Sequence, residues 1–185
     1  IAHARAAAAV GVDGLVLVCA GAGGHTGQIS PFAFVPAVRE FFDGLIVVAG
    51  SVTDGCTVAA VRVLGADLAY AGTRFIASTE SLAAADYKDM ILDADAEDLV
   101  CTSAFTGAHA NMLRPSIERA GLDPDDLTES RGKPDFSDEK RKNRPWKNIW
   151  TAGQGVGTVT SIDNVADIVD MFDQQYREAT GNKSP

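Results

Sequence analysis

Leu15-Val16-Leu17-Val18-Cys19-Ala20-Gly21-Ala22-Gly23-Gly24-His25-Thr26-Gly27 runs from an unbroken apolar stretch straight into a glycine loop. Apolar residues without alternation read as a strand buried on both faces, the mark of a parallel sheet. Four of residues 21–27 are glycine and one is an imidazole. Glycine tolerates positive φ and lets a ligand approach the backbone amides. His25, held just past a strand end, is placed to touch whatever lies against those amides.

The same unit recurs downstream. Residues 2–10 predict a helix ended by Gly11, and 12–19 the first strand. An interior proline costs a helix about 3 kcal/mol, so the next helix is expected to start near Pro36 and end at Phe42, with Val38 and Phe42 facing the core. Leu45–Val48 reads as a strand, 49–55 as a glycine-containing loop, and 56–64 as a helix stopped by Gly65. A third strand over 67–71 runs into Gly72-Thr73-Arg74-Phe75, and Thr79 is expected to cap a helix to about Leu92. Three strand–loop–helix units in succession predict an α/β fold with a parallel sheet and right-handed crossovers.

Beyond residue 95 the pattern loosens. A strand is expected at Leu99–Thr102, a helix from Pro115 to Ala120, and a surface loop over 122–148. The last helix is expected after Ser161, with Val165, Ile168, Val169, Phe172 and Tyr176 on one stripe and Gly181 at its end. The chain thus divides into the β/α units (1–95), a smaller subdomain with its surface loop (96–148), and a return segment with a C-terminal helix packing on the units (149–185).

The chain is 46% hydrophobic and 22% charged, an ordinary globular composition, with a formal net charge of −9. That charge argues against nucleic acid and against acidic membrane surfaces as partners. No apolar run approaches the ~20 residues of a membrane span. Three unclustered cysteines fit a reducing, cytoplasmic setting. Cys19 and Cys56 are read as small apolar packers, and Trp146 and Trp150 as anchors for the loop. The basic cluster Lys140, Arg141, Lys142, Arg144 and Lys147 is read as a solvated face. No metal-ligand spacing is present.

In parallel α/β folds ligands sit at the carboxyl ends of the strands, which puts loops 20–29, 49–55 and 71–75 on one side. Gly50-Ser51 and Gly72-Thr73 each offer glycine-exposed amides and a hydroxyl ahead of a helix start, where an anion is favoured. The plain alternative is that these glycines only make tight turns. His3 and His109 are read as surface or loop residues.

Gly21-Ala22-Gly23-Gly24-His25-Thr26-Gly27, Ala49-Gly50-Ser51-Val52, Gly72-Thr73-Arg74-Phe75 and Ala152-Gly153-Gln154-Gly155 occur in the order found in the nitronate monooxygenases, formerly 2-nitropropane dioxygenases. The sequence resembles that family from about residue 11 to 180. The resemblance implies a TIM-type (β/α)8 barrel with a smaller helical subdomain, FMN as cofactor, and oxidation of alkyl nitronates or nitroalkanes with O2. It implies that His25 is the catalytic base. It implies that Gly23 and Gly24 pass close to the flavin, that Gly50 and Ser51 meet its phosphate, and that Tyr70, Ala71, Gly72 and Thr73 close around that phosphate. Gln154 matches a glutamine near the cofactor. An imidazole, with an ordinary pKa of about 6.5, is suited to such a base.

Two departures stand out. Val18-Cys19-Ala20-Gly21 replaces the Gln-Gly-x-Glu of many members, and Ser51 replaces the second glycine of a Gly-Gly pair. A (β/α)8 barrel takes ~250 residues, and the three units here match the family's last three. The sequence is therefore expected to be the C-terminal half of an enzyme, and a homodimer is expected. The rival readings are a flavin-dependent enoyl-thioester reductase, a barrel of the purine-nucleotide oxidoreductase kind needing a nucleophilic cysteine, and an inactive truncated fragment.

Overall fold

A computed structural model describes residues 1–127 and 147–181. The elements in chain order are α1 (Ala2–Ala9), β1 (Gly14–Val18), β2 (Gly24–His25), α2 (Pro31–Arg39), β3 (Leu45–Ala49), α3 (Gly55–Val63), β4 (Leu68–Tyr70), α4 (Thr73–Ile76), α5 (Ala85–Asp93), β5 (Leu99–Thr102), β6 (Ala110–Leu113), α6 (Arg114–Arg119) and α7 (Val165–Ala179).

β1, β3 and β4 form a parallel sheet in sequence order. Val18 pairs with Ala49 and Ala49 with Tyr70, so the three carboxyl ends lie in one row. Alternate residues separate the two faces of this sheet. Leu17, Ile46 and Val48 are buried with Val35, Val38, Phe42 and Val61 from the helices. Val16, Val18, Leu68 and Tyr70 on the other face are exposed among the described residues. This is an arc of a TIM-type barrel: helices cover the outside, and the apolar inner face is the one a closed barrel fills with its own side chains.

At the amino ends of the strands Arg39 fixes the frame. Its Nε donates to the Gly65 carbonyl at 2.7 Å and its Nη1 to the Gly44 carbonyl at 2.6 Å, while Nη2 pairs with Asp67. The Ile46 amide and Arg39 hold the Asp67 carboxyl below the usual carboxylate range.

Several expectations are corrected. α2 begins at Pro31 and carries Pro36 inside it. Pro36 removes only the bond to the Phe32 carbonyl, one turn from the helix start at an exposed residue, so the cost falls where water is at hand. In place of one helix from Thr79 to about Leu92, a non-helical segment of turns (77–84) precedes α5, which covers only the later part of that span. Ser78 bridges Asp163, and the Thr79 amide donates to the Asp163 carbonyl at 2.9 Å, so pairing with the return segment displaces the helix. The cap of α7 is Asn164, accepting from the Asp167 amide at 2.9 Å, rather than Ser161. Val169 is exposed while Ile168 is buried. Cys56 is exposed rather than packed, because α3 turns its buried face through Ala59 and Val61. Cys19 is fully buried, and burial pushes its thiol up to about 11.

The second sheet, β2-β6-β5, is antiparallel. Its β5 matches the expected strand; β6, buried at all four residues, and the two-residue β2 were not foreseen. Trp150 is buried, stacked on Tyr87 with centroids 4.7 Å apart and covered by the Arg119 guanidinium at 3.6 Å, as an anchor should be. Trp146 and the cluster from Lys140 to Arg144 lie outside the described residues.

Arg74 clamps the β4 side of the sheet to the return segment. It is buried, with Nη1 donating to the Ala77 carbonyl at 3.1 Å and the Ser161 carbonyl at 3.2 Å, and Nη2 paired with Asp163. The Ser161 hydroxyl and then Arg74 keep the Asp163 carboxyl below the carboxylate range. A lysine keeps the charge but lacks the planar fork for three acceptors. Arg74→Lys is expected to cost about 1–3 kcal/mol, since it leaves the buried Ala77 carbonyl without its donor and loosens the partly exposed pair with Asp163. Thermal denaturation measures this, and an unchanged Tm would remove Arg74 as a clamp.

Candidate active site

The row of strand ends opens into a cleft of about 510 Å³, within the range of small-molecule sites. Its lining includes Gly23 and His25 from the first unit, Gly50 and Ser51 from the second, and Tyr70, Gly72 and Thr73 from the third. Seven of the ten residues singled out in the sequence thus share one wall. Gly24 lies in β2 beside it. Ala71 lines a different groove, against α3 and α7. Gln154 is exposed at the rim, its amide donating to the Gly21 carbonyl at 2.9 Å.

Each glycine has its own reason. A Cβ on Gly21 would lie 2.3 Å from the Ser51 Oγ, and one on Gly23 would lie 2.7 Å from the Gly153 nitrogen and 2.8 Å from the Ala152 carbonyl carbon. These glycines let the first loop press against the 152–154 segment, which is also tied in by the Gly153 amide donating to the Thr73 hydroxyl at 2.9 Å. Gly72 is different. Its φ is −123°, open to any residue, and nothing stands within 4 Å of where a Cβ would be. Neither turn geometry nor protein packing calls for glycine there, and Gly72 lines the cleft.

The second loop modifies one expectation. Ser51 adopts φ 56°, the left-handed region that a glycine would enter without strain. Its amide points at the Gly21 carbonyl at 3.3 Å. The α3 start is already capped: Asp54 accepts from the Thr57 amide at 2.7 Å, and Gln175 from the Gly55 amide at 3.0 Å. A carboxylate occupies the helix end where an anion was expected, so this loop offers the Ser51 hydroxyl and the edge of Gly50 rather than the α3 dipole.

His25 is exposed to the cleft, and it stands in a strand rather than on a free loop. It pairs with Ala110, and the neighbouring Thr26 amide donates to the His109 carbonyl at 3.0 Å. Its Nε2 lies 3.1 Å from the Thr106 hydroxyl. The buried Asn111 donates through Nδ2 to the Ala22 carbonyl at 2.8 Å, holding the glycine loop to the same strand. Thr106 and Asn111 were missed in the sequence. No motif marks them, because their role comes from β6 pairing across 85 or more residues.

A model of the family described as nitronate monooxygenase matches residues 1–174. The chain belongs to the nitronate monooxygenase family. It is 34% identical over 125 residues to the nitronate monooxygenase of Paraburkholderia phytofirmans, covering 63% of this chain and 34% of that protein. FabK from Thermotoga maritima superposes with a TM-score of 0.75 at 26% identity, over 97% of this chain and 59% of FabK. Nitroalkane oxidase from Streptomyces ansochromogenes gives a TM-score of 0.72 at 25% identity, over 98% of this chain and 56% of that one. The matches span about a third of the curated relatives' length. Among the described residues no helix is long and apolar enough to cross a membrane, and no group of three or more His, Cys, Asp or Glu could hold a metal.

Proposed function

We propose that this chain contributes the phosphate-side wall and the catalytic base of an FMN-dependent enzyme that oxidises nitronates or nitroalkanes with O2. The observation that carries the reading is the shared cleft: His25 of the first unit, Gly50 and Ser51 of the second and the open edge at Gly72 of the third line one space. Gly23, Gly50, Ser51, Gly72 and Thr73 would hold the cofactor, with Tyr70 flanking it and Gly24, Ala71 and Gln154 supporting the loops around it. Bound there, the isoalloxazine supplies the electron acceptance and its re-oxidation by O2.

The chain's own part is proton chemistry and position. A nitroalkane carries an acidic proton on the carbon bearing the nitro group. His25 accepts that proton as the C–H bond breaks, the electron pair moves onto the nitro group, and a nitronate and an imidazolium result. The imidazolium then holds the anion by charge. The apolar Val16, Val18 and Ile76 in the cleft lining give the substrate's alkyl part an apolar wall.

A flavin-dependent enoyl-thioester reductase is the second reading, and the likeness to FabK fits it. The two TM-scores, 0.75 and 0.72, are too close to choose between them. Anaerobic mixing of the flavin-loaded protein separates the readings. Bleaching of the flavin absorbance by an alkyl nitronate, with NADH slow, is the expected result. Fast bleaching by NADH and none by nitronate would transfer the site to the reductase.

A further inference from the structure

Thr151 stands in the return segment between two buried residues, Trp150 and Ala152, which pack with Ala77, Ile91 and Leu113. Side chains alternate along an extended strand, so that of Thr151 faces the opposite way, and it lines the cleft. Its peptide groups face a third way. Thr151 bridges Met112 in the antiparallel sense, and the Leu113 amide donates to the Trp150 carbonyl at 2.8 Å. Bonded and unbonded pairs alternate along such a ladder, which turns the N–H and C=O of Thr151 away from β6.

One side chain meets both. The Tyr87 hydroxyl, from α5, lies 2.6 Å from the Thr151 carbonyl oxygen and 3.3 Å from the Thr151 amide nitrogen. The carbonyl can only accept and the amide can only donate, so the phenol donates to the first and accepts from the second. Burial pushes the Tyr87 phenol up from its ordinary value, so the donated proton stays on it. The stack on Trp150 fixes the ring from which that hydroxyl projects. We infer that Tyr87 is a positioning residue for the cleft, holding Thr151 against the bound ligand as a neighbouring strand would hold it in a wider sheet. Among the described residues no group bonds the Thr151 hydroxyl, which leaves it open to a polar atom of the ligand. α5 thus acts on the cleft through Thr151.

The hold on Thr151 stands apart from the ligand, while its effect on binding rests on the proposed flavin site; the experiment reads them separately. Hydrogen exchange followed by NMR on the flavin-free protein resolves single amides. The Thr151 amide is expected to be protected in wild type. In Tyr87→Phe, which keeps the stacked ring and loses the hydroxyl, it should exchange at least about tenfold faster, while the Leu113 amide changes less. Fluorescence titration with FMN is expected to show about tenfold weaker binding for Tyr87→Phe, and the same for Thr151→Val, which keeps the shape and the backbone bonds. Because one residue acts through the other, the double variant should bind no more weakly than either single one. A loss near a hundredfold in the double variant means two independent effects and overturns the inference. So does FMN binding of wild-type strength in either single variant, and the valine variant gives that answer whether or not the phenylalanine variant folds. An unprotected Thr151 amide in wild type overturns it as well. A protected Thr151 in a wild-type protein that binds no FMN would leave Tyr87 holding Thr151 and remove the proposed flavin site instead.

Discussion

His25→Asn is expected to lower kcat/KM for a neutral nitroalkane by about 10²–10⁴-fold, the usual contribution of a positioned general base. That range corresponds to about 3–5 kcal/mol of transition-state stabilisation. Oxidation of the preformed nitronate should fall less than about tenfold, because that substrate has already lost the proton His25 would take. The split between the two substrates makes the result specific. A mutation that merely loosened the cleft would depress both rates together, as lost binding does. The fold should tolerate the change, since the ring is exposed to the cleft and the residue is held through backbone pairing with Ala110. Steady-state rates on the two forms of one nitroalkane, with flavin content matched, decide the matter. Equal rates for mutant and wild type on both forms would strip His25 of its role as base.

The parallel units were legible because their signals are local. An apolar run such as Leu45–Val48 needs no partner to be seen, and Gly65 marks a helix end by itself. The cleft-lining residues Gly50, Ser51, Gly72 and Thr73 followed from the rule that such strands present ligands at their carboxyl ends. What stayed hidden was set by contacts far apart in the chain. β2 is two residues long and exists because β6, some 85 residues later, pairs with it. The segment of turns after α4 replaces the first part of an expected helix because Asp163 reaches Ser78 and Thr79 across a similar distance. Likewise the capping of α3 by Asp54, and its consequence for an anion, emerges only in the structure, where Gln175 of α7 also takes the Gly55 amide. Motifs therefore drew attention to the imidazole and the glycine loops that line the cleft, while the contacts that hold His25 and the first loop came from the second sheet.

Gly23 and Gly72 line the same cleft, and alanine at either position is expected to weaken flavin binding, but only at Gly23 to lower stability as well. At Gly23 a methyl group meets backbone atoms of residues 152 and 153 below 3 Å, and no flexible side-chain end can move aside. Either the glycine loop or the 152–154 segment must shift, at a cost of about 2–3 kcal/mol. Both carry cleft residues, so flavin affinity should fall at least about tenfold along with the Tm. At Gly72 the methyl group meets nothing within 4 Å and φ is ordinary, so stability should stay within about 0.5 kcal/mol of wild type. Flavin affinity should nevertheless drop by about tenfold, near 1.4 kcal/mol, because the methyl group enters the space the cofactor would use. Calorimetric unfolding of the flavin-free protein beside fluorescence titration with FMN measures both quantities. A Gly72→Ala protein that binds FMN like wild type would mean that this glycine faces no cofactor, and the cradle would have to be rebuilt from the Gly50–Ser51 side alone. A Gly23→Ala protein of unchanged stability would show instead that the 152–154 segment yields freely, so that the close approach of the first loop is not what sets the depth of the cleft.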